Sequence, residues 1–311
     1  MFSQIILGVD LGVLGDSAVN QALEIESKEP KDGKAGDAIA GFTSNYRFLY
    51  LYRMPRKARR HRRPIITLTS DFGLTDSYVA AMKAVLLRHC PEATLIDVTH
   101  NVPRQDILCG SITLERAVDG FPPGTVHLAV VDPGVGSDRR ILVAELNESF
   151  IVAPDNGLIT WSWRVHPGGR AHELTWRPRK HSDTFHGRDI MAPAAGMIAA
   201  AEDLSKIMRP LGDPILLDVS PADDARGQII QIDHFGNATT NIPYERIRAL
   251  ATKSVRVRNR DLGRLRRIYQ DAAPGKPLAL IGSSGLLEIA VRDGSASEDL
   301  KIRVGDEVQL R

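Results

Sequence analysis

From residue 64 onward, short apolar runs alternate with amphipathic segments, and this alternation constrains the possible folds more than any other feature of the chain. Three runs rich in β-branched residues have the length of strands: Ile65–Ser70, Thr94–Thr99 and Thr125–Val131. Between them, the segments Ser77–Cys90 and Asp106–Val118 repeat apolar residues at helical spacing. Strands that alternate with helices indicate an α/β domain with a mostly parallel sheet whose two faces are both covered.

The rest of the chain continues this domain and then changes in character. Two shorter strands, Arg140–Leu146 and Phe150–Pro154, and a buried helix, Asp189–Ala201, are predicted next. The periodicity is lost between Asp218 and Arg226, which indicates a linker. Beyond it, short apolar runs separated by turn residues predict a small all-β domain, a sandwich or a barrel. We therefore predict an α/β domain at residues 64–220 and a β domain at residues 226–311.

Residues 1–63 do not resemble part of either domain. They mix glycines with acidic and basic residues and end in the strongly basic run RMPRKARRHRRP. Such a run is typical of a solvated, disordered arm, although it could also contact nucleic acid or acidic lipid, and a start codon assigned too far upstream would equally explain it. The remainder of the chain is slightly acidic and has no broad basic face, so we do not expect nucleic acid as a partner.

Cysteine content and hydropathy indicate a cytoplasmic location. The two cysteines, Cys90 and Cys109, lack metal-binding or redox spacing and are expected to be buried thiols in a reducing compartment. No apolar run is long enough to cross a bilayer, so no membrane association is predicted. The apolar start of the chain is not expected to be a signal peptide, because Asp10 interrupts it and no positive charge precedes it.

The string VVDPGVGSDRR, which begins at Val130, is the strongest sign of a functional site. Asp132 ends a predicted strand, and Gly134 and Gly136 allow a tight turn that could bring Arg139 back towards it. A carboxylate and a guanidinium on a sharp loop at a strand end are typical of a site, although an ordinary salt-bridged turn has the same pattern.

Polar residues also follow the other predicted strands. In an open α/β sheet, ligands bind at the carboxyl ends of the strands, so these side chains are expected to converge at one edge. Each of them could instead stabilise a turn or cap a helix. The residues concerned are Asp71, His100, Asn101, Asp132, Asp155 and Asn156.

Three further segments contain candidate ligand-binding groups. His186 precedes a predicted helix N-terminus, a place suited to polar ligands, although a lone histidine is more often structural. In the β domain, Asp233 and Asn237 flank a Phe-Gly pair that could hold a flat heterocycle or form a plain polar turn. The segment Ile281–Ala296 adds a glycine-rich loop.

Nucleotide-binding, zinc-protease and serine-hydrolase motifs are missing, and the DFG at Asp71 lacks the other kinase motifs.

Taken together, these segments closely resemble the S-adenosylmethionine (SAM) hydroxide adenosyltransferases, which are related to the fluorinase and the chlorinase. The matching strings are TSDFGLTDSYVAAMK, DVTHNV, VVDPGVGSDRR, APDNGL, FHGRDIMAPAA, IDHFGNATTNI and GSSGLLEIAV. The resemblance covers about residues 64–311. It implies an α/β N-terminal domain, a β-barrel-like C-terminal domain and a homotrimer whose active sites lie between the N-terminal domain of one subunit and the C-terminal domain of its neighbour.

The reaction implied is cleavage of SAM by water to adenosine and L-methionine, with no metal and no cofactor. Asp132, Arg139 and His186 match the family's water-activating residues, and either Asp132 or His186 would take the proton. The remaining matches imply contacts to the ribose for Asp71, to the methionine ammonium for Asp76, Ser77 and Asp233, to adenine for Asn237 with the backbone of 294–296, and to the methionine carboxylate for Ser283 and Ser284. In the halogenases an arginine stands where this chain has Ser284.

Three alternatives to hydrolysis remain. Halide transfer is disfavoured because Gly187 replaces the fluorinase serine that contacts halide, Gln105 replaces an aromatic residue, and DPGV replaces Tyr-Pro-Ala-Thr. A SAM-binding protein without catalysis would not need the Asp132–Arg139–His186 set. A metal-dependent hydrolase would use His100, His127 and Asp132, but His127 lies in the middle of a predicted strand.

Overall fold

The computed structural model describes residues 63–219, 222–223, 225–250 and 254–311. The predicted N-terminal arm, residues 1–63, lies outside these residues except for Arg63, and the predicted linker lies partly outside them. Within the described part of the chain, no helix combines the length and the apolar character that a membrane span requires.

The first region contains a seven-stranded sheet with helices on its two faces. Its strands are β1 (Ile65–Ser70), β2 (Thr94–Thr99), β3 (Val126–Val130), β4 (Ile141–Leu146), β5 (Ser149–Pro154), β6 (Arg170–Leu174) and β7 (Met208–Leu211). Its helices are α1 (Tyr78–His89), α2 (Ile107–Gly120), α3 (Thr160–Val165) and α4 (Ala192–Ala199), the last preceded by a π-helical turn (Gly187–Met191). Asp106 caps α2 by accepting a hydrogen bond from the N–H of Cys109.

The strand order β2-β1-β3-β5-β4-β6-β7 confirms the α/β class. Strands β2, β1, β3 and β5 are parallel neighbours, whereas β4 is antiparallel to β5 and β6, and β7 is antiparallel to β6. Strands β6 and β7 and helix α3 were not predicted, because they are short and weakly periodic. The parallel half of the sheet brings the carboxyl ends of its strands to one edge, which is where the candidate residues lie.

Alternate side chains of the parallel strands pack on opposite faces of the sheet. Leu128 of β3 packs in one hydrophobic cluster with Met82 and Leu86 of α1, while its neighbour Ala129 packs in another with Leu114 of α2. All five residues are buried. Because both faces are covered in this way, the strands are apolar along most of their length, as their sequences predict.

The second region contains a seven-stranded antiparallel sheet. Its strands are β8 (Arg226–Ile232), β9 (Ala238–Pro243), β10 (Val255–Val257), β11 (Arg260–Asp261), β12 (Pro277–Ile281), β13 (Leu286–Val291) and β14 (Glu307–Leu310). It also includes α5 (Tyr244–Ala249), a 3₁₀ turn (Tyr269–Asp271) and α6 (Ala296–Asp299). Strand β9 was not predicted.

This second sheet curls around a single core. Its order is β11-β10-β14-β8-β9-β13-β12, and Ile229 of β8, Val257 of β10 and Ala279 of β12 share one hydrophobic cluster. The N–H of Arg266, in the segment after β11, donates to the carbonyl of Ala279 at 2.8 Å, which links the two ends of the sheet. The curled antiparallel half-barrel confirms the barrel-like expectation.

The buried histidine of β3 gives the α/β domain a defined response to acid. His127 is fully buried, its Nδ1 lies 2.8 Å from Thr67 Oγ1, and its Nε2 has no hydrogen-bond partner among the residues that the structure describes. Burial lowers the pKa of this imidazole from 6.5 to about 4. The unfolded chain therefore binds a proton that the folded chain excludes, and stability is lost as the pH falls from about 6.5 towards 4.

Because of His127, we expect the free energy of unfolding to be about 2 kcal/mol lower at pH 5 than at pH 7.5. Urea unfolding at the two pH values measures the change, and His127→Gln should show a smaller pH difference than the wild type, whatever its absolute stability. An equal pH difference in both proteins would contradict this account.

Candidate active site

Asp132, Arg139 and His186 come together at the carboxyl end of β3. The Nε of Arg139 donates to one carboxylate oxygen of Asp132 at 2.6 Å, and its Nη2 donates to the other. The same Nη2 lies 3.2 Å from His186 Nδ1. The side chains of Arg139 and Asp132 are only 9% and 4% exposed, so this is a bidentate ion pair largely shielded from water.

The local sequence explains how the three residues meet. Asp132 follows β3, and the loop that returns Arg139 to it passes directly over the segment that carries His186. At Gly136, where φ is +84°, a Cβ atom would lie 2.5 Å from the carbonyl oxygen of Asp183. Only glycine allows both this conformation and this close approach, so Gly136 brings the two parts of the site into contact.

The electrostatics of the site favour a neutral imidazole. Burial and the Arg139 charge lower the pKa of His186 and outweigh the opposing effect of Asp132. Since a guanidinium can only donate hydrogen bonds, His186 Nδ1 accepts from Arg139 and the ring proton resides on Nε2. His186 can thus donate a hydrogen bond from Nε2 while Asp132 offers carboxylate oxygens.

Asp132 and His186 line a cavity of about 340 Å³ whose walls include three aromatic rings. The rings of Phe72, Tyr78 and Phe185 contact each other with centroids 5.2–5.8 Å apart. Sequence reasoning missed this aromatic group. The signal was present, because each aromatic residue directly adjoins a predicted site residue.

Asp71 lies beside this region at the end of β1 and is oriented by the main chain. Its Oδ2 accepts a hydrogen bond from the N–H of Gln105 at 2.8 Å, and its Oδ1 makes none with the described residues. Gln105 adopts a φ of +64°, an unusual conformation for a residue with a side chain. Asp76 and Ser77 are exposed, and Ser77 sits at the N-terminus of α1 without a side-chain capping bond.

The candidates of the β domain form a separate group. Asp233 accepts hydrogen bonds from the N–H and the side-chain Nδ2 of Asn237, at 2.8 and 3.1 Å. A Cβ at Gly236 would lie 2.1 Å from Ser295 Oγ, so this turn packs against the loop at 294–296. Ser283 and Ser284 lie on the turn between β12 and β13. None of these residues lines the cavity that contains Asp132.

The other strand-end candidates support the scaffold. Asp155 is 1% exposed and binds Arg140 Nε and the N–H of Ile215, at 2.7 and 2.8 Å. Asn156 donates to the carbonyl of Val131 at 2.9 Å. Asp155 and Asn156 therefore hold loops in place.

The histidines of the metal-hydrolase alternative do not join Asp132. His100 Nδ1 lies 2.7 Å from Ser70 Oγ and its Nε2 lies 3.0 Å from Asp97 Oδ1. His127 is fully buried, with its Nδ1 against Thr67. The hydrogen bonds of both imidazoles are thus with residues other than Asp132. Asn101, the remaining strand-end candidate, is exposed.

The fold and the site define an enzyme-like α/β domain with a buried Asp–Arg–His cluster, followed by a curled β domain. The family profile of the SAM hydroxide adenosyltransferase N-terminal domain matches residues 66–208, and that of the C-terminal domain matches residues 227–309. The chain belongs to the SAM hydroxide adenosyltransferase family.

Individual relatives agree with this assignment. A protein of Thermus thermophilus named (R)-S-adenosyl-L-methionine hydrolase is 39% identical over 80% of this chain and 99% of its own length. A fluorinase of Nocardia brasiliensis is 30% identical over 58% of this chain and 72% of its own length. The crystal structure of an uncharacterized conserved protein from Thermotoga maritima superimposes with a TM-score of 0.73, at 35% identity over 79% of this chain and all of that chain.

The scaffold role of Asp155 predicts a loss of stability on substitution. Asp155→Ala leaves Arg140 without its buried partner and should lower the free energy of unfolding by about 3 kcal/mol. Asp213→Ala is the matched control, because Asp213 binds the same arginine at 3.1 Å but its side chain is 84% exposed. The control should cost less than about 1 kcal/mol. Urea unfolding of the two variants measures both, and equal losses would contradict the assignment.

Proposed function

We propose that the chain hydrolyses S-adenosyl-L-methionine to adenosine and L-methionine, by attack of a water molecule on the 5′ carbon of the ribose. The observation that carries this proposal is the buried Asp132–Arg139–His186 cluster at the wall of a cavity, in a chain of this family. The hydrolase names of relatives such as the Thermus thermophilus protein support the same reaction.

The chemistry matches what the site offers. The leaving group is a neutral thioether that departs from a sulfonium, so no general acid has to protonate it, and neither a metal nor a cofactor is required. The difficult step is to place a water molecule in line with the carbon–sulfur bond and to remove its proton. Because the His186 ring proton resides on Nε2, we assign water orientation to His186 and proton acceptance to Asp132, with Arg139 holding both side chains.

The substrate-binding roles follow the groups that the fold leaves available. Asp71 Oδ1, which makes no hydrogen bond with the described residues, would accept hydrogen bonds from the ribose hydroxyls. The aromatic group Phe72, Tyr78 and Phe185 would shield the reacting centre from bulk water. The remaining roles are proposed as the family resemblance implies: ammonium recognition by Asp76, Ser77 and Asp233, adenine recognition by Asn237, and carboxylate recognition by Ser283 and Ser284.

Halide transfer is the second candidate, since fluorinases are among the relatives. A halide site must supply donors that replace the water stripped from the anion. A Cβ at Gly187 would lie 3.2 Å from Val130 Cγ1 and 3.4 Å from Met82 Sδ, so the position that bears a serine in the fluorinase faces an apolar wall here. Hydrolysis is favoured for this reason.

We further propose a homotrimer in which each active site joins the α/β domain of one subunit to the β domain of the next. The separation of the two residue groups within one chain supports this arrangement. On the cavity side Tyr78 is 48% exposed, and beside Asn237 the ring of Phe235 is 74% exposed. A neighbouring subunit would cover both.

We also propose the domain boundaries and the cellular location of the protein. We place the domain boundaries at 64–220 and 226–311, which enclose the two family matches. A cytoplasmic location is supported by the two free cysteines, Cys90 and Cys109. Membrane and nucleic acid are not proposed as partners.

Product analysis tests the reaction directly. The purified protein is incubated with SAM, with and without chloride or fluoride, and the products are separated by chromatography. Equal amounts of adenosine and methionine, unaffected by halide, are expected. A halogenated nucleoside would establish halide transfer, and bound SAM without any product would indicate a binding protein.

Substitutions separate catalysis from binding. Asp132→Ala, Arg139→Ala and His186→Ala should each lower kcat by about 100-fold or more, because each removes part of the water-activating cluster, while adenosine binding changes little. Asp71→Ala should instead weaken adenosine binding, by about tenfold, because it removes the acceptor for the ribose hydroxyls. Steady-state kinetics and calorimetric titration with adenosine measure the two effects. Wild-type kcat in all three cluster variants would exclude the mechanism.

Subunit mixing tests the shared active site. Asp132→Ala inactivates only the α/β contribution and Asn237→Ala only the β-domain contribution, so each variant alone should be nearly inactive. After co-refolding, mixed trimers contain some sites with both wild-type halves and should regain part of the activity. Activity that stays at the level of the separate variants, in mixed oligomers verified by mass, would place the whole site within one chain.

A further inference from the structure

We propose that His181, Asp183 and His186 form a binding site for a divalent transition-metal cation, best suited to zinc, and that the bound cation inhibits the enzyme. One potential ligand atom from each of these residues lies within 4.8 Å of the others. The three residues lie on one short segment, residues 181–186, part of which lines the cavity. The proposed reaction does not use the first two.

The hydrogen bonds around the cluster leave ligand atoms available. His181 Nδ1 lies 3.1 Å from the carbonyl oxygen of Pro178, so this nitrogen carries the ring proton and Nε2 keeps a free lone pair. A histidine that donates its other N–H to a carbonyl is the usual arrangement for a metal ligand. The Asp183 carboxylate makes no hydrogen bond or ion pair with the described residues, and Asp183 and His181 are both exposed.

Two imidazoles and one carboxylate form a ligand set typical of zinc with an open fourth position for water. Zinc–nitrogen bonds of about 2 Å require the ligand atoms to approach to about 3.3 Å of each other. Rotation of the exposed His181 and Asp183 side chains supplies this movement. The guanidinium of Arg139, whose Nη2 lies 3.2 Å from His186 Nδ1, repels an added cation and is expected to weaken its binding.

Occupation of this site is incompatible with the hydrogen bonds of the active site. His186 Nδ1 accepts from Arg139, which leaves the ring proton on Nε2. A metal ion on Nδ1 would take the lone pair that accepts from Arg139, and a metal ion on Nε2 would move the ring proton to Nδ1, where it faces the guanidinium. The Arg139–His186 hydrogen bond is therefore lost, and His186 can no longer orient water. Metal binding itself does not depend on the proposed function, whereas the inhibition rests on it.

The binding test uses the full-length, metal-free protein and zinc chloride alone. Competition with a chromophoric chelator measures affinity and stoichiometry, and the visible absorption of the cobalt(II) form reports the ligand geometry. The test variant is the double substitution His181→Gln and Asp183→Asn. Asp138→Asn is the matched control, because Asp138 is an exposed carboxylate on the adjacent loop that makes no hydrogen bond or ion pair with the described residues. Urea unfolding establishes that both are folded.

We expect one zinc ion per chain in the wild type and the control, and binding weakened by about tenfold or more in the double variant. Equal zinc affinity in the double variant and the control would overturn the site.

We also expect zinc to inhibit the wild type and the control. The double variant should need about tenfold more zinc for the same inhibition, and a chelator should restore activity. Binding without inhibition, or stimulation by zinc, would overturn the inhibitory role. Zinc binding at this cluster in a protein that never cleaves SAM would refute the proposed function but leave the site intact.

Discussion

The structure of the site depends on the ion pair between Asp132 and Arg139. A carboxylate and a guanidinium that are almost fully shielded from water lose much of their hydration, and bidentate geometry is what compensates for this loss. The pair can form only if the loop after β3 turns back sharply, and that loop is held against the His186 segment by the contact of Gly136 with the Asp183 carbonyl. The ion pair, the loop and the histidine therefore depend on one another, and all three lie at the carboxyl end of the buried strand β3.

Much of this arrangement could be predicted from the sequence because it follows from local patterns. Parallel strands with covered faces are apolar throughout, and their ends are marked by an acid or an amide, so β1, β2 and β3 and the position of Asp132 were evident. Strand β9 was not, because its buried residues include Thr239, Thr240 and Asn241. Its polar side chains are satisfied within the β domain, for example by the bond from the N–H of Gln228 to Asn241. Composition alone does not reveal such a strand.

The sequence also does not show which of the acids at the strand ends belongs to the site and which stabilises the scaffold. Asp132 and Asp155 both follow an apolar strand, and both end in an ion pair with an arginine of the same Arg139–Arg140 dipeptide. One pair borders a cavity, whereas the other binds the N–H of Ile215 and fixes a loop. The difference arises from a residue far away in the sequence, because Ile215 lies 60 positions from Asp155. The aromatic group around the cavity depends on the same long-range packing.

The hydrogen bond between Gln105 and Asp71 involves the main chain of the glutamine and not its side chain. A position that acts through its backbone N–H can exchange one side chain for another while the geometry of its partner persists. The family resemblance places an aromatic residue at this point in the halogenases, where this chain has glutamine. The side chain at this exposed position can therefore change without disturbing the Asp71 carboxylate, which, within the described part of the chain, is held by the main chain alone.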